Sequence, residues 1–109
     1  MTSKYTKVVI KKSTKPEKKL MAIFSDDKPK VSDGKPKKTK TIHFGQAGAP
    51  DYTKTKDKEQ RSRYIKRHRA RENWQVPDTA GSLARWILWG PTVKLSSNIS
   101  NYKNKFNLK

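Results

Sequence analysis

The chain has 109 residues, 27 of them Lys or Arg against nine Asp or Glu, for a net charge of +18, and it has no Cys. That composition excludes disulfide and thiolate-zinc scaffolds, and a charge so far beyond what solubility needs points to a polyanion or an acidic protein surface as partner. Only 31% of the residues are hydrophobic, below the usual globular share, so one small domain with a limited core is the most the chain can build, with some ordering expected on assembly.

The absence of Cys agrees with a reducing compartment. The first residues are followed by no long apolar run, Val8-Val9-Ile10 is too short for a signal peptide, and the longest apolar run is only Trp86 to Trp89. No segment can span a bilayer. The charge allows peripheral contact with an anionic inner membrane, but no basic amphipathic helix carries an apolar stripe of the needed length.

In chain order, residues 4–10 read as a short strand, with Tyr5, Lys7 and Val9 on one side and Val8 and Ile10 on the other. Residues 14–18 hold Pro16 and read as a turn. Residues 20–24 are apolar on both faces, a second strand that is buried or paired. Residues 25–38 form a polar loop in which Asp33-Gly34 could close a hairpin turn. Residues 40–44 alternate as a third strand, with Ile42 and Phe44 facing one way. A small sheet of this kind needs a helix against it to be stable.

Gly45 and Gly48 punctuate a loop, residues 45–50, at positions that suit positive φ. The loop lacks the Gly-Lys-Ser/Thr ending of a P-loop. Asp51-Tyr52-Thr53 is expected to tie it to the next helix through local side-chain bonds. The first helix is expected over residues 57–72, with Asp57 as N-cap and Gln60 completing a capping box. Arg61, Tyr64, Ile65 and His68 share one of its faces and Arg63, Lys66, Arg67 and Arg69 the other. After Pro77, Asp78 or Thr79 caps a second helix over residues 80–89, with Leu83, Trp86 and Ile87 as its apolar stripe. Gly90 and Pro91 end it. A last helix, residues 93–106, aligns Leu95, Ile99, Tyr102 and Phe106. The expected fold is therefore α+β: a small basic antiparallel hairpin or three-stranded sheet followed by two or three short helices. Residues 1–38 form a Lys-rich segment of strands and loop, ordered on assembly, and residues 39–109 a compact core.

The Arg-rich helix is the best candidate for partner binding. Arg offers bidentate, charge-assisted bonds to carboxylate or phosphate, whereas the Lys of the first half offers point charges. The candidate partner-binding residues are Arg61, Arg63, Lys66, Arg67, Arg69, Arg71, Trp74 and Trp89. Of the three Trp, Trp86 lies on the apolar stripe and is expected in the core, while Trp89 lies off it and is expected to face a partner. Tyr64, His68 and Glu72 fall at i, i+4 and i+8. They can be read as a proton relay or as a packed Tyr beside a hydrogen-bonded His, and the second reading is preferred because no nucleophile or second carboxylate stands nearby in sequence. With two His and no Cys, no metal or cofactor site is expected, and no enzyme. No base-reading motif is present, so any DNA binding is expected to ignore sequence.

The string His43-Phe44-Gly45, Gly48, Asp51-Tyr52-Thr53, Asp57, Arg61, Arg63-Tyr64, Arg67-His68, Arg71-Glu72-Asn73-Trp74, Thr79-Ala80-Gly81, Leu83 and Arg85-Trp86-Ile87-Leu88-Trp89 resembles a small basic protein family of large nucleocytoplasmic DNA viruses. The closing Asn101-Tyr102-Lys103 and Lys105-Phe106-Asn107-Leu108 resemble its C-terminus. The likeness spans residues 39–108, and residues 1–38 depart from it. It implies a virion component, a minor capsid protein located in the capsid and in host cytoplasm during assembly. Its partners would be the major capsid protein and other minor capsid proteins. The alternative reading is a virion DNA-binding protein that neutralises packaged genome.

Overall fold

The computed structural model describes residues 5–25 and 39–109. The expected Asp33-Gly34 turn lies outside the described residues. Three antiparallel strands, β1 (Lys7–Lys12), β2 (Lys18–Ser25) and β3 (Thr39–Gln46), lie in the order β1-β2-β3. Then come α1 (Tyr52–Thr55), α2 (Lys58–Arg69), α3 (Ala80–Leu83) with a π-helical turn (Ala84–Leu88), and α4 (Leu95–Lys105). The chain is α+β.

The sheet is one-sided because its register aligns every second residue. Val8 pairs with Phe24 and Ile10 with Ala22, while Leu20 pairs with Phe44 and Ala22 with Ile42. These side chains share one face, since strand residues alternate with a period of two. The opposite face carries Lys7, Val9 and Lys11, and Val9 is 40% exposed. Helical residues cover the apolar face: Tyr52 from α1, Leu83 from α3, Ile87, Leu88 and Trp89 from the π-helical segment and its end, and Tyr102 from α4 form one buried cluster with Val8, Phe24 and Phe44. Leu108 joins it, and Lys109 pairs with the outer edge of β1. The Val8 N–H donates to the Lys109 carbonyl at 3.0 Å, and the Lys109 N–H to that of Thr6 at 2.9 Å.

The helix ends follow from their caps. Asp51 is buried, and its carboxylate accepts the Thr53 N–H to start α1, as expected for a local Asp bond. It also binds the Lys19 ammonium, fastening β2 to α1. Asp57 caps α2 by accepting from the Glu59 and Gln60 N–H groups. The capping box is not reciprocal, because Gln60 accepts instead from the Thr55 hydroxyl at 2.8 Å. Helix α2 ends at Arg69 rather than residue 72. Thr79 caps α3, accepting the Ser82 N–H at 3.1 Å.

The helix expected over residues 80–89 departs most from regular geometry. The Trp89 N–H donates to the Ala84 carbonyl at 2.9 Å, an i→i+5 bond. The widened turn rotates the following residues relative to a 3.6-residue period. Leu88 and Trp89 are therefore buried beside Leu83 and Ile87, and Trp86, expected in the core, is only half-buried. Gly90 follows because nothing larger fits. A Cβ there would lie 2.3 Å from the Trp86 carbonyl oxygen and 2.7 Å from Asn98 Cγ.

Candidate partner-binding face

Helix α2 has no fully buried residue, so side-chain contacts hold it in place. The Arg61 Nε–H donates to the carbonyls of Trp89 and Gly90 at 3.1 and 2.8 Å. The Arg85 Nη1–H adds a bond to Trp89 O at 3.1 Å. Two guanidinium groups thus satisfy the carbonyl end of the α3 segment, where cations are favoured. One turn on, the Tyr64 ring stacks on Trp89, 4.4 Å between centroids and 8° between planes, and on His68 at 4.2 Å. Burial first, then the Glu72 charge, pushes the Tyr64 phenol up to about 12.

His68 Nδ1 bonds a Glu72 carboxylate oxygen at 2.7 Å, and the Trp74 indole N–H donates to the other at 2.8 Å. The Trp86 indole N–H in turn donates to the Trp74 carbonyl at 3.0 Å. This network links α2 to the segment before α3. Both oxygens of Glu72 are engaged, and the Tyr64 hydroxyl has an ionisation pushed far above neutrality. Those features suit a structural tie better than proton transfer.

The outer side of α2 is different. On a 100° wheel Lys66 and Arg69 fall on one flank of the Tyr64–His68 face and Arg63 and Arg67 on the other. All four are exposed, as is Arg71 just beyond the helix. Glu59, in the first turn, is the only acid of α2. The ion pairs among the described residues are Lys19–Asp51, Lys40–Asp78 and His68–Glu72, so none of these five cations has a carboxylate partner there. Arg61, Lys66 and Arg69 line a shallow groove of about 310 Å³ with Ile65 and Ser62. The arrangement presents fixed positive charge around one aliphatic side chain, a surface for carboxylate or phosphate groups.

Two expected partner-facing residues are thus turned inward. Trp89 is 7% exposed and stacks on Tyr64, because the π-helical turn carries it into the core. Arg61 is half-buried and braces the helix end. Trp74 is half-buried, with the Arg85 guanidinium 5.1 Å from its ring centroid. A second basic concavity of about 410 Å³ lies between the β1–β2 turn and the Gly45–Gly48 loop, with Lys12, Lys15, Lys18 and Lys54 around Leu20 and Leu88. Sequence spacing does not reveal it, since it joins Lys12, Lys15 and Lys18 to Lys54, 36 to 42 positions away. Among the described residues no cluster of His, Asp or Glu could hold a metal, and no helix is long and apolar enough to cross a membrane.

The chain belongs to a family of unknown function, DUF5754, whose family model matches residues 8–68. The matched span runs from β1 through most of α2 and includes Asp51, Asp57 and Arg61. No curated protein and no solved structure matches the chain.

Proposed function

We propose that the protein is a non-catalytic structural component of a virion, a minor capsid or cement protein that docks on acidic surfaces of neighbouring capsid subunits. The observation that carries this reading is the outer side of α2, where Arg63, Lys66, Arg67 and Arg69 stand exposed with no carboxylate partner among the described residues. The helix is held rigidly by Arg61 and by the Tyr64–Trp89 stack. A helix held this way presents its cations in one arrangement, and the planar forks of its three Arg lose less freedom per hydrogen bond than Lys would, which favours defined docking over loose condensation on a polyanion. The sequence resemblance supplies the virion context.

The test replaces Arg63, Lys66, Arg67 and Arg69 together by Ala and follows incorporation into purified particles. All four are exposed, so the melting midpoint is expected to stay within about 3 °C of the parent. Incorporation is expected to fall roughly tenfold or more, as loss of a charge-assisted interface dictates. Unchanged incorporation would refute α2 as the docking face. Particles that assemble normally with the variant but lose packaged DNA would favour genome neutralisation instead.

A further inference from the structure

The concavity between the β1–β2 turn and the Gly45–Gly48 loop is framed by bonds on both walls. The Ala47 N–H donates to the Glu17 carbonyl at 2.9 Å, joining loop to turn. Ser13 ties the turn to the sheet: its N–H donates to the Lys19 carbonyl at 3.2 Å, and its hydroxyl is bonded to His43 Nδ1 at 2.7 Å. The Lys19 ammonium binds both the Asp51 carboxylate and the Ala49 carbonyl, which fixes the far end of the loop. A recess framed this way needs little ordering when a ligand enters it.

Its lining has two parts. Leu20 from β2, Leu88 from the π-helical turn and Leu95 from the start of α4 are joined by Pro16 and Ala47, so apolar surface predominates. Lys12, Lys15, Lys18 and Lys54 complete the lining, and all four are exposed. Asp51, the acid of the lining, is buried and already holds Lys19 and the Thr53 N–H and hydroxyl. None of the four exposed Lys has a carboxylate partner among the described residues. An apolar floor and a surplus of positive charge are thus combined around about 410 Å³, a volume in the range of ligand pockets.

We propose that this concavity is a docking site for an acidic polypeptide segment carrying an aliphatic or aromatic anchor side chain. The anchor fills the floor of Leu20, Leu88 and Leu95, and the acids flanking it in sequence lie in the field of the surrounding Lys. Charge promotes the encounter and the anchor sets the register. The two parts of the lining select this occupant together. A nucleic acid backbone supplies the charge but no aliphatic group for the floor. An anionic bilayer takes up protruding apolar groups, whereas these Leu side chains are buried or half-buried. The site shares no residue with the groove on α2 and does not depend on the capsid reading.

The full chain, ¹³C-labelled at its Leu methyl groups, would be titrated near physiological salt with the end-blocked peptide Asp-Glu-Asp-Leu-Phe-Asp-Glu-Asp. The same peptide with Ser-Ser in place of Leu-Phe, an oligothymidylate of matched charge and phosphatidylserine vesicles run in parallel. Saturable shifts of the Leu20, Leu88 and Leu95 methyls are expected with the Leu-Phe peptide. Affinity read from these methyls is expected to be at least about tenfold tighter than for the Ser-Ser peptide, the effect of burying one large apolar side chain. Lys15→Glu combined with Lys54→Glu reverses two exposed charges of the lining and is expected to weaken that binding about tenfold or more. Lys66→Glu combined with Arg69→Glu makes the same charge change on α2 and is expected to leave it within about threefold, the effect of screened long-range charge. Equal affinity for the two peptides, unshifted Leu88 and Leu95 methyls at saturation, or an equal loss in both double variants would overturn the site. Tighter binding of the oligothymidylate or the vesicles at the same methyls would overturn the choice of a polypeptide.

Discussion

Asn98 is the residue on which the helical layer turns, and removing its side chain gives the sharpest test of how that layer is held. It is fully buried. Its Nδ2 group donates to the carbonyls of Ile87 and Thr92, each at 2.9 Å. Its Oδ1 accepts from the Thr92 N–H at 3.1 Å and from the Thr92 hydroxyl at 2.8 Å. One amide therefore closes the end of the π-helical turn, the following loop and the start of α4. In Asn98→Ala the buried Ile87 carbonyl is stranded, a loss of about 1–3 kcal/mol. The Thr92 groups are part-buried and regain water in part, adding about 1 kcal/mol. The total of about 2–4 kcal/mol corresponds to a melting midpoint lowered by roughly 8–16 °C for a domain of this size. Asn98→Asp sharpens the test. It keeps one acceptor but turns a carboxylate oxygen toward two carbonyls, so at neutral pH it is expected to be less stable than Asn98→Ala, and to recover as the pH falls and the carboxyl protonates. Thermal melts followed by circular dichroism read both. A midpoint for Asn98→Ala within about 2 °C of the parent, or Asn98→Asp as stable as the parent at neutral pH, would refute the assigned role.

Alkaline pH should weaken the fold through Tyr64. Its folded pKa of about 12 lies above the ordinary value of 10.0, so the folded state keeps a proton that the unfolded chain releases. The contribution is complete below about pH 10 and is lost as pH rises toward about 12. Tyr102, likewise raised by burial and by Asp78, adds in the same direction. Melts across that range are expected to fall, and less steeply in Tyr64→Phe; an equal slope in the variant would exclude Tyr64 as a source. The two loop glycines should separate cleanly. Both have positive φ, +79° at Gly45 and +82° at Gly48, but a Cβ on Gly45 would lie 2.7 Å from Leu88 Cδ1, while Gly48 has open space. Gly48→Ala is expected to cost only the backbone strain of about 1 kcal/mol, and Gly45→Ala about 1–3 kcal/mol more from overpacking. Chemical denaturation would measure both, and equal costs would refute the packing argument.

Much of the fold was legible because its signals are local. Alternation places Ile42 and Phe44 together, Asp57 announces one helix start and the Asp78–Thr79 pair another, where Thr79 proves to be the cap, and Gly90 marks the end of the α3 segment. The third strand reads correctly even though its pairing with β2 spans a long connection, since its own alternation suffices. The site was legible only on its outer side. Arg63, Lys66, Arg67 and Arg69 follow from helical spacing alone. Trp89 is buried and Trp86 only half-buried, against the order their spacing suggests, because a π-helical turn carries no simple sequence mark and breaks the 100° wheel. The Lys-lined concavity is hidden in the sequence because what assembles it is the meeting of the β1–β2 turn with the Gly45–Gly48 loop. Asn98 was missed for a similar reason: a polar residue in a helix reads as exposed until the carbonyls it satisfies are known.

The central claim is that the exposed cations of α2 face acidic protein rather than genome. Cross-linking mass spectrometry on intact purified particles tests it most directly, reading the neighbours of Lys66 on that face and of Lys54 and Lys103 away from it. The account predicts reproducible links from Lys66 to acidic segments of the major capsid protein. Links confined to internal core proteins, together with DNA adducts on the peptides of α2, would contradict it.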